Sequence, residues 1–124
     1  MRKGDKKTGR SFVVIRPDGR VTVEVMSGGR LMPTEIYRYC GGPSKSVETA
    51  CWDELVLFVP AERSKEGLLV NRAATALVHP GEAVRGVAVL SEMEDGIPIG
   101  LSDRAALLYA RMMVQMAKEK EKME

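Results

Sequence analysis

Short apolar runs bounded by turn residues fill the first part of the chain, and they predict β-strands. Phe12–Arg16 is an apolar run typical of a strand with both faces covered, whereas Val21–Val25 alternates apolar and polar residues. We expect the three valines of the second strand to point inward. Pro17-Asp18-Gly19 lies between the two runs, and these residue types suit a tight turn. The pattern therefore predicts a β-hairpin.

A short helix is predicted after this hairpin. Pro33–Cys40 is long enough for two helical turns, Pro33 is tolerated in the first of them, and Gly41-Gly42 ends the helix. Helical spacing assigns three residues to its buried face, namely Ile36, Tyr39 and Cys40.

The middle of the chain has a less uniform pattern. Ser46–Cys51 is compatible with either a strand or a helix, and Leu55–Val59 predicts a buried strand. Arg72–Val78 predicts a helix. Val84–Leu90 predicts another strand, which we expect to be followed by an acidic loop up to residue 100.

The last element is predicted as a helix over residues 102–121, with Ser102 as N-cap and Asp103 at the positive end of the helix dipole. Together the elements predict a single α+β domain over residues 11–124. Its order is β-β-α-β-β-α-β-α, with a small mixed β-sheet and a long C-terminal helix. A chain of 124 residues, 44% of them hydrophobic, can bury one core without metals or disulfides.

The C-terminal helix is apolar around most of its circumference. Between residues 105 and 117 only Arg111 and Gln115 are polar, whereas a surface helix normally carries one apolar face about 100° wide. The helix is therefore either sandwiched within the fold, or packed on the core with one side and on a partner with the other. We take the second alternative as a hypothesis and expect a homodimer. The predicted interface residues are Leu108, Tyr109, Met112, Met113 and Met116.

Charge is distributed unevenly along the chain. The formal net charge is +2, but the first ten residues hold five of the 19 basic residues and one of the 17 acidic ones. Residues 1–10 are predicted to be a disordered basic tail, and the remainder is slightly acidic. Weak nucleic-acid binding through this tail is one functional alternative.

Composition indicates a cytoplasmic protein. No stretch approaches the ~20 consecutive apolar residues that span a bilayer, and the N-terminus has no apolar segment typical of a secretory signal. The two cysteines, Cys40 and Cys51, are too few for a disulfide scaffold, so we expect reduced thiols.

Catalytic and metal-binding patterns are absent from the sequence. There is no Gly-x-Ser-x-Gly, no His-Glu-x-x-His and no Cys-x-x-Cys, and the single histidine, His79, follows a predicted helix end. We therefore expect neither an enzyme nor a metal or other cofactor.

One stretch is a candidate ligand site. Asn71 is predicted to begin a helix, where backbone N–H groups are free, and Arg72 in the first turn lies against the preference of the helix dipole. An anionic ligand, such as a nucleotide, would compensate that charge. The candidate ligand-binding residues are Asn71, Arg72, Thr75 and Arg16. The alternative is structural, with Asn71 as a helix cap and Arg72 solvated or ion-paired.

The order of these segments resembles a known family. The segments that carry the likeness are Val-Val-Ile-Arg-Pro-Asp-Gly-Arg at 13–20, Tyr-Cys-Gly-Gly at 39–42, Leu-Val-Leu-Phe-Val at 55–59, Val-Asn-Arg-Ala-Ala-Thr-Ala-Leu at 70–77 and Val-Arg-Gly-Val-Ala-Val-Leu at 84–90. They resemble the family catalogued as domain of unknown function 3846, over about residues 11–90. The chain departs from that pattern in Pro43–Trp52, and the C-terminal helix lies outside the resemblance.

The resemblance implies a context rather than a chemistry, since the family carries no assigned activity and no catalytic residues transfer. Its members are small proteins of phages, plasmids and other bacterial mobile elements. We therefore expect a non-enzymatic binding protein of such an element, which inhibits a host defence system by protein–protein contact.

Overall fold

The computed structural model describes residues 10–50, 55–61, 67–78 and 83–122. Its elements are, in chain order, β1 (Ser11–Ile15), β2 (Val21–Val25), α1 (Pro33–Cys40), β3 (Ser44–Glu48), β4 (Leu55–Pro60), α2 (Arg72–Thr75), β5 (Ala88–Glu94), β6 (Ile97–Gly100) and α3 (Asp103–Lys122). The strands form one six-stranded sheet in the order β2-β1-β5-β4-β3, and β6 pairs with β5 beside the start of β1. The chain is an α+β protein with a long C-terminal helix, as the sequence predicts.

The sheet is antiparallel rather than mixed. Every strand pair in the described part of the chain is antiparallel, which corrects the prediction of a mixed sheet. Parallel neighbours need a crossover connection, usually a helix. Here α1 joins β2 to β3, which lie on opposite edges of the sheet, and α2 joins the antiparallel neighbours β4 and β5. Neither helix is such a crossover.

A second hairpin replaces the predicted acidic loop before residue 100. β5 begins at Ala88, later than predicted, continues to Glu94 and turns directly into β6. The turn residues Asp95 and Gly96 have φ values of 52° and 80°. Positive φ at both central residues is characteristic of a type I′ turn, for which Asp-Gly is a preferred pair. The prediction of a loop was wrong because the acidic residues of this segment belong to strand ends and a tight turn.

The first hairpin is confirmed, but its second strand is more exposed than expected. The Gly19 N–H donates to the Arg16 carbonyl at 3.0 Å, which closes the turn between β1 and β2. Val23 and Val25 are 36% and 72% exposed, whereas only Val21 packs against the core. The three valines do share the α3 face, opposite Ser11, Val13 and Ile15 in the register, but β2 is an edge strand and their burial decreases toward Val25.

Helices cover both faces of the sheet. β1 is buried throughout because its alternate residues serve opposite faces: Val13 and Ile15 pack toward α2 and α3, while Phe12 and Val14 pack toward α1. The apolar cluster on the α3 face also contains Leu57, Leu77, Leu90, Leu101, Ala106, Ala110 and Met113. The cluster on the α1 face also contains Met26, Leu31, Ile36, Cys40, Val56, Phe58 and Val89.

Most helix bounds agree with the sequence. α1 spans the predicted residues and ends at Gly41, whose φ is 79°, with Ile36 and Cys40 buried and Tyr39 packed beside them. α3 begins after Ser102, whose hydroxyl accepts from the Ala105 N–H at 3.1 Å. α2 is shorter than predicted and ends at Thr75.

Two further predictions concern segments that the structure describes only in part. The first part of the ambiguous segment Ser46–Cys51 is a strand, since β3 covers Ser44–Glu48, and Cys51 lies outside the described residues. Residues 1–9 of the predicted tail lie outside the described residues. Arg10, the last residue of that tail, is attached to the fold, because its Nε donates to the Ile99 carbonyl at 3.0 Å and its Nη2 to the Gly100 carbonyl at 3.3 Å.

Candidate functional site

The Asn71 side chain is wholly buried and fully engaged with the backbone. Its amide nitrogen donates to the carbonyls of Ile15 at 2.9 Å and Gly86 at 2.8 Å. Its amide oxygen accepts from the Ala74 N–H at 3.1 Å, which makes Asn71 the N-cap of α2. These contacts tie β1, α2 and the segment before β5 together, and we call this arrangement the Asn71 corner.

Thr75 completes the Asn71 corner from the other end of α2. Its hydroxyl donates to the Asn71 carbonyl at 2.8 Å and accepts from the Val84 N–H at 2.9 Å. Asn71 and Thr75 were both predicted to contact a ligand. The structure instead uses their polar atoms within the chain, which corrects that prediction in favour of its structural alternative.

Arg16 and Arg72, the other two predicted ligand residues, do lie together. Both line a cavity of about 130 Å³, along with Pro17, Asp18 and Gly19 of the first hairpin. The Arg16 guanidinium donates to the Thr22 hydroxyl at 2.8 Å, and Arg72 is exposed.

This cavity does not suit a nucleotide. Ligand pockets typically have volumes of about 300–1,000 Å³, so there is room only for a small ion. A carboxylate also lines it: the Arg20 N–H, together with the Arg20 guanidinium 2.9 Å away, holds the pKa of Asp18 below its usual value. A negative charge is therefore already present beside Arg16 and Arg72, and the small volume leaves no room for a nucleotide.

A larger opening lies on the opposite face of the sheet. It has a volume of about 830 Å³ and is bounded by the start of α1, by β3 and by the β5–β6 hairpin. We call it the α1 groove. Its apolar lining consists of Leu31, Met32, Pro33, Ile36, Phe58, Met93, Ile97 and Pro98.

The groove exists because small side chains stand where the α1 face would otherwise be filled. Ser44 and Ser46 of β3 share the face of their neighbour Phe58 on β4, and both line the groove. Gly96 at the hairpin turn adds no side chain at all. On the side opposite β3, the groove is bounded by the segment before α1 and by β6. These two are joined, since the Leu31 N–H donates to the Pro98 carbonyl at 2.9 Å.

Charge at the groove has one sign. Arg30 and Lys45 are the charged residues that border it in the described part of the chain. Lys45 is paired with Val59 of the cluster on the α3 face, so the alternation of β3 directs its side chain away from the groove and leaves Arg30 as the charge on the groove side. Glu35 of α1 does not line the groove, and its carboxylate accepts from the N–H groups of Ser27 and Met32, each at 3.2 Å. The arrangement can therefore hold an apolar body together with a negative group.

Sequence reasoning did not find the α1 groove. A signal was nevertheless present, because Asp95-Gly96 is a preferred two-residue hairpin turn and lies between Met93-Glu94 and Ile97. The two serines of β3 were a second signal, since they are small residues at alternate positions of a segment compatible with a strand.

Four of the five predicted interface residues share one side of α3. At about 100° per residue, Leu108, Tyr109, Met112 and Met116 lie within an arc of about 100°. Leu108 is 56% exposed and Met112 is 38% exposed, while Tyr109 and Met116 are half-buried and pack against the core. We call these four residues the α3 flank.

Met113, the fifth predicted residue, is not available to a partner. Its side chain is fully buried in the cluster between α3 and the sheet. Met113 lies beyond the α3 flank on the helix circumference, on the side that carries Ala106 and Ala110. Leu107, which was not predicted, is 50% exposed on a different side of the helix.

The described residues offer little for catalysis or metal binding. The Cys40 thiol is buried, its burial raises its pKa to about 11, and its S–H donates to the Phe58 carbonyl at 3.8 Å. No group of three or more histidine, cysteine or carboxylate side chains in these parts of the chain is placed to bind a metal ion. His79, Cys51 and Trp52 lie outside the described residues.

The helices of the described ranges are too short or too polar to cross a bilayer. No family model matches the chain, and neither a curated protein nor a solved structure with significant similarity was found. The resemblance to domain of unknown function 3846 therefore stays a prediction.

Proposed function

We propose that this chain is a non-enzymatic binding protein that acts by protein–protein contact, and that the α3 flank is its contact surface. The observation that carries the proposal is the exposure of Leu108 and Met112, one helical turn apart, on a helix whose other side is anchored by buried Met113. A rigid helix with an accessible apolar side is a common recognition element. Methionine adapts its shape to different partners.

The spacing of the flank suits a second copy of the same chain. If two α3 helices pack antiparallel about a twofold axis at Met112, Leu108 of each copy meets Met116 of the other, because both lie four residues from the axis.

Such a pair is expected to be weak. Completing the burial of a half-exposed apolar side chain contributes about 1 kcal/mol, so Leu108 and Met112 of both copies supply about 4 kcal/mol. That value is at the low end of the roughly 4–15 kcal/mol that association costs. A covalent trap therefore tests the pair more sensitively than measurement of mass at low concentration.

Cysteine cross-linking tests this register. Met112→Cys is expected to give a disulfide-linked dimer under mild oxidation, seen on a non-reducing gel, since the two substituted positions face each other across the axis. Leu107→Cys is the matched control, because residue 107 is similarly exposed but lies on another side of α3. We expect at least about a tenfold difference in cross-linking rate.

Equal rates for the two variants, or dimer in neither beyond that of the unmodified chain, would contradict the self-pairing. The unmodified chain has to be run alongside because it contains Cys40 and Cys51.

The resemblance described above adds a context to this proposal. In a protein of a bacterial phage or plasmid, a host defence protein is the second kind of partner that the same flank would bind. Capture of a host protein by the unmodified chain, and its loss in Leu108→Asp, is the result expected from that role. Capture that persists in Leu108→Asp would place the contact elsewhere.

A further inference from the structure

The α1 groove has no part in the contact proposed for α3, because it lies on the other face of the sheet. Its volume of about 830 Å³ is within the range of small-molecule sites, whereas the cavity beside Arg72 is several times smaller. We propose that the α1 groove binds a small amphipathic anion, that is, a molecule with an aryl or acyl body and one negatively charged group.

The floor of the groove is the part expected to bind the apolar body of the ligand. Leu31, Ile36 and Phe58 are at most 8% exposed and belong to the core cluster under α1, so their positions are fixed by packing. Met32 and Ile97, at 37% and 40% exposure, stand at the groove with apolar surface open to solvent. A ligand body that covers these side chains removes that surface from water, which favours binding.

Arg30 is the residue expected to bind the negatively charged group of the ligand. It lines the groove, it is exposed, and within the described residues its guanidinium has no hydrogen-bond or ion-pair partner. A guanidinium binds carboxylate, sulfonate or phosphate oxygens through paired N–H groups, and such charge-assisted bonds are about twice as strong as neutral ones.

Neighbouring acidic residues do not neutralise this site from within. Glu94 and Asp95 are exposed on the β5–β6 hairpin and are not part of the groove lining. The hydroxyls of Ser44 and Ser46, which do line it, add neutral donors that an anion can use. Because an uncharged apolar molecule gains only from the floor, it is expected to bind more weakly than an anion of the same shape.

A pair of fluorescent probes separates the two contributions. The probe 8-anilinonaphthalene-1-sulfonate carries an aryl body and one negative group, and N-phenyl-1-naphthylamine has a similar body without charge. In fluorescence titrations with the full chain, we expect the anionic probe to bind about tenfold more tightly. Arg30→Gln is expected to remove most of this difference while changing the affinity of the uncharged probe less than twofold.

Two controls locate the probes. Arg104→Gln removes an exposed arginine from α3 and is expected to change neither affinity. Ser46→Phe places an aromatic ring in the groove and is expected to weaken both probes by about tenfold or more, whereas Val25→Phe, on the opposite sheet edge, leaves both unchanged. Unchanged circular dichroism and thermal midpoints show that the variants are folded.

Three results would overturn the proposal. The first is equal affinity of the two probes for the unmodified chain. The second is an equal effect of Arg30→Gln and Arg104→Gln on the anionic probe. The third is binding that survives Ser46→Phe but is lost in Leu108→Asp, which would place the probes on the α3 flank.

Discussion

The Asn71 corner and the α1 groove lie on opposite sides of one sheet, and they differ in how their polar groups are used. At the corner, one buried amide makes three hydrogen bonds to the backbone, and the Thr75 hydroxyl makes two more. At the groove, Arg30 has no partner within the described residues, and small side chains leave space above an apolar floor.

The difference shows why polarity alone is a poor guide to a binding site. Asn71 and its neighbours look like a site in the sequence because polar residues begin a helix there. A buried polar group has to be satisfied, and one that is satisfied within the chain has no capacity left for a ligand. Binding capacity lies where polar groups and volume remain unused. Each of the following experiments tests one side of this contrast.

Asn71→Ala should have the largest effect. It removes three hydrogen bonds, two of them to the carbonyls of Ile15 and Gly86 in the protein interior, so the free energy of unfolding should fall by about 3–5 kcal/mol. Urea unfolding followed by circular dichroism measures this loss. Arg72→Ala, on the exposed side of the same short helix, should change stability by less than about 0.5 kcal/mol. Similar losses of unfolding free energy in both variants would mean that the hydrogen bonds of the Asn71 corner do not stabilise the fold.

Gly100→Ala tests the rigidity of the hairpin that borders the groove. Gly100 has a φ of 78°, and an added Cβ would lie against the Met26 sulfur and within 2.9 Å of the Ser11 carbonyl oxygen. We expect a loss of about 2–4 kcal/mol, from backbone strain and from overpacking. Gly29→Ala is the matched control, since its added Cβ would meet no atom within 4 Å and should leave stability unchanged. Equal thermal midpoints for the two variants would contradict this account of β6.

Cys40→Ala is expected to have the smallest effect on stability. It tests how well the packing beneath α1 keeps water from the thiol. Burial raises the pKa of the Cys40 thiol from 9.0 to about 11, so the folded state holds the proton more tightly than the unfolded state does. The resulting stabilisation is complete below about pH 9 and is lost as the pH rises toward 11. The unmodified chain should therefore lose stability more steeply than Cys40→Ala between pH 8.5 and 10.5, as urea unfolding at several pH values would measure. Parallel curves would mean that the thiol is open to water.

Local patterns predicted the local elements of this fold. The β1–β2 turn and α1 depend on residues close in sequence, such as Pro17, Gly19 and Gly41, and the structure has both. The start of β5 depends on a distant contact instead. The pattern of Val84–Leu90 predicts a strand from Val84 onward. Gly86, however, adopts a φ of 81° and its carbonyl accepts from Asn71, so regular pairing begins only at Ala88.

The two proposed binding surfaces were less predictable for the same reason. Helical spacing placed Leu108 and Met112 on one side of α3, but whether Met113 is buried depends on how the helix lies on the sheet. The α1 groove brings together Arg30, Ser46 and Met93 from separate elements. No local pattern relates them, because Ser46 and Met93 are brought together by the strand order β5-β4-β3, and Arg30 by the hydrogen bond between neighbouring Leu31 and Pro98.

The most direct test compares the two sides of the sheet in one titration. Binding of 8-anilinonaphthalene-1-sulfonate should weaken about tenfold or more in Ser46→Phe and remain unchanged in Arg72→Ala, because the first variant fills the α1 groove and the second removes only an exposed residue of the Asn71 corner. Weaker binding in Arg72→Ala together with unchanged binding in Ser46→Phe would contradict the account and return the anion site to the Asn71 corner.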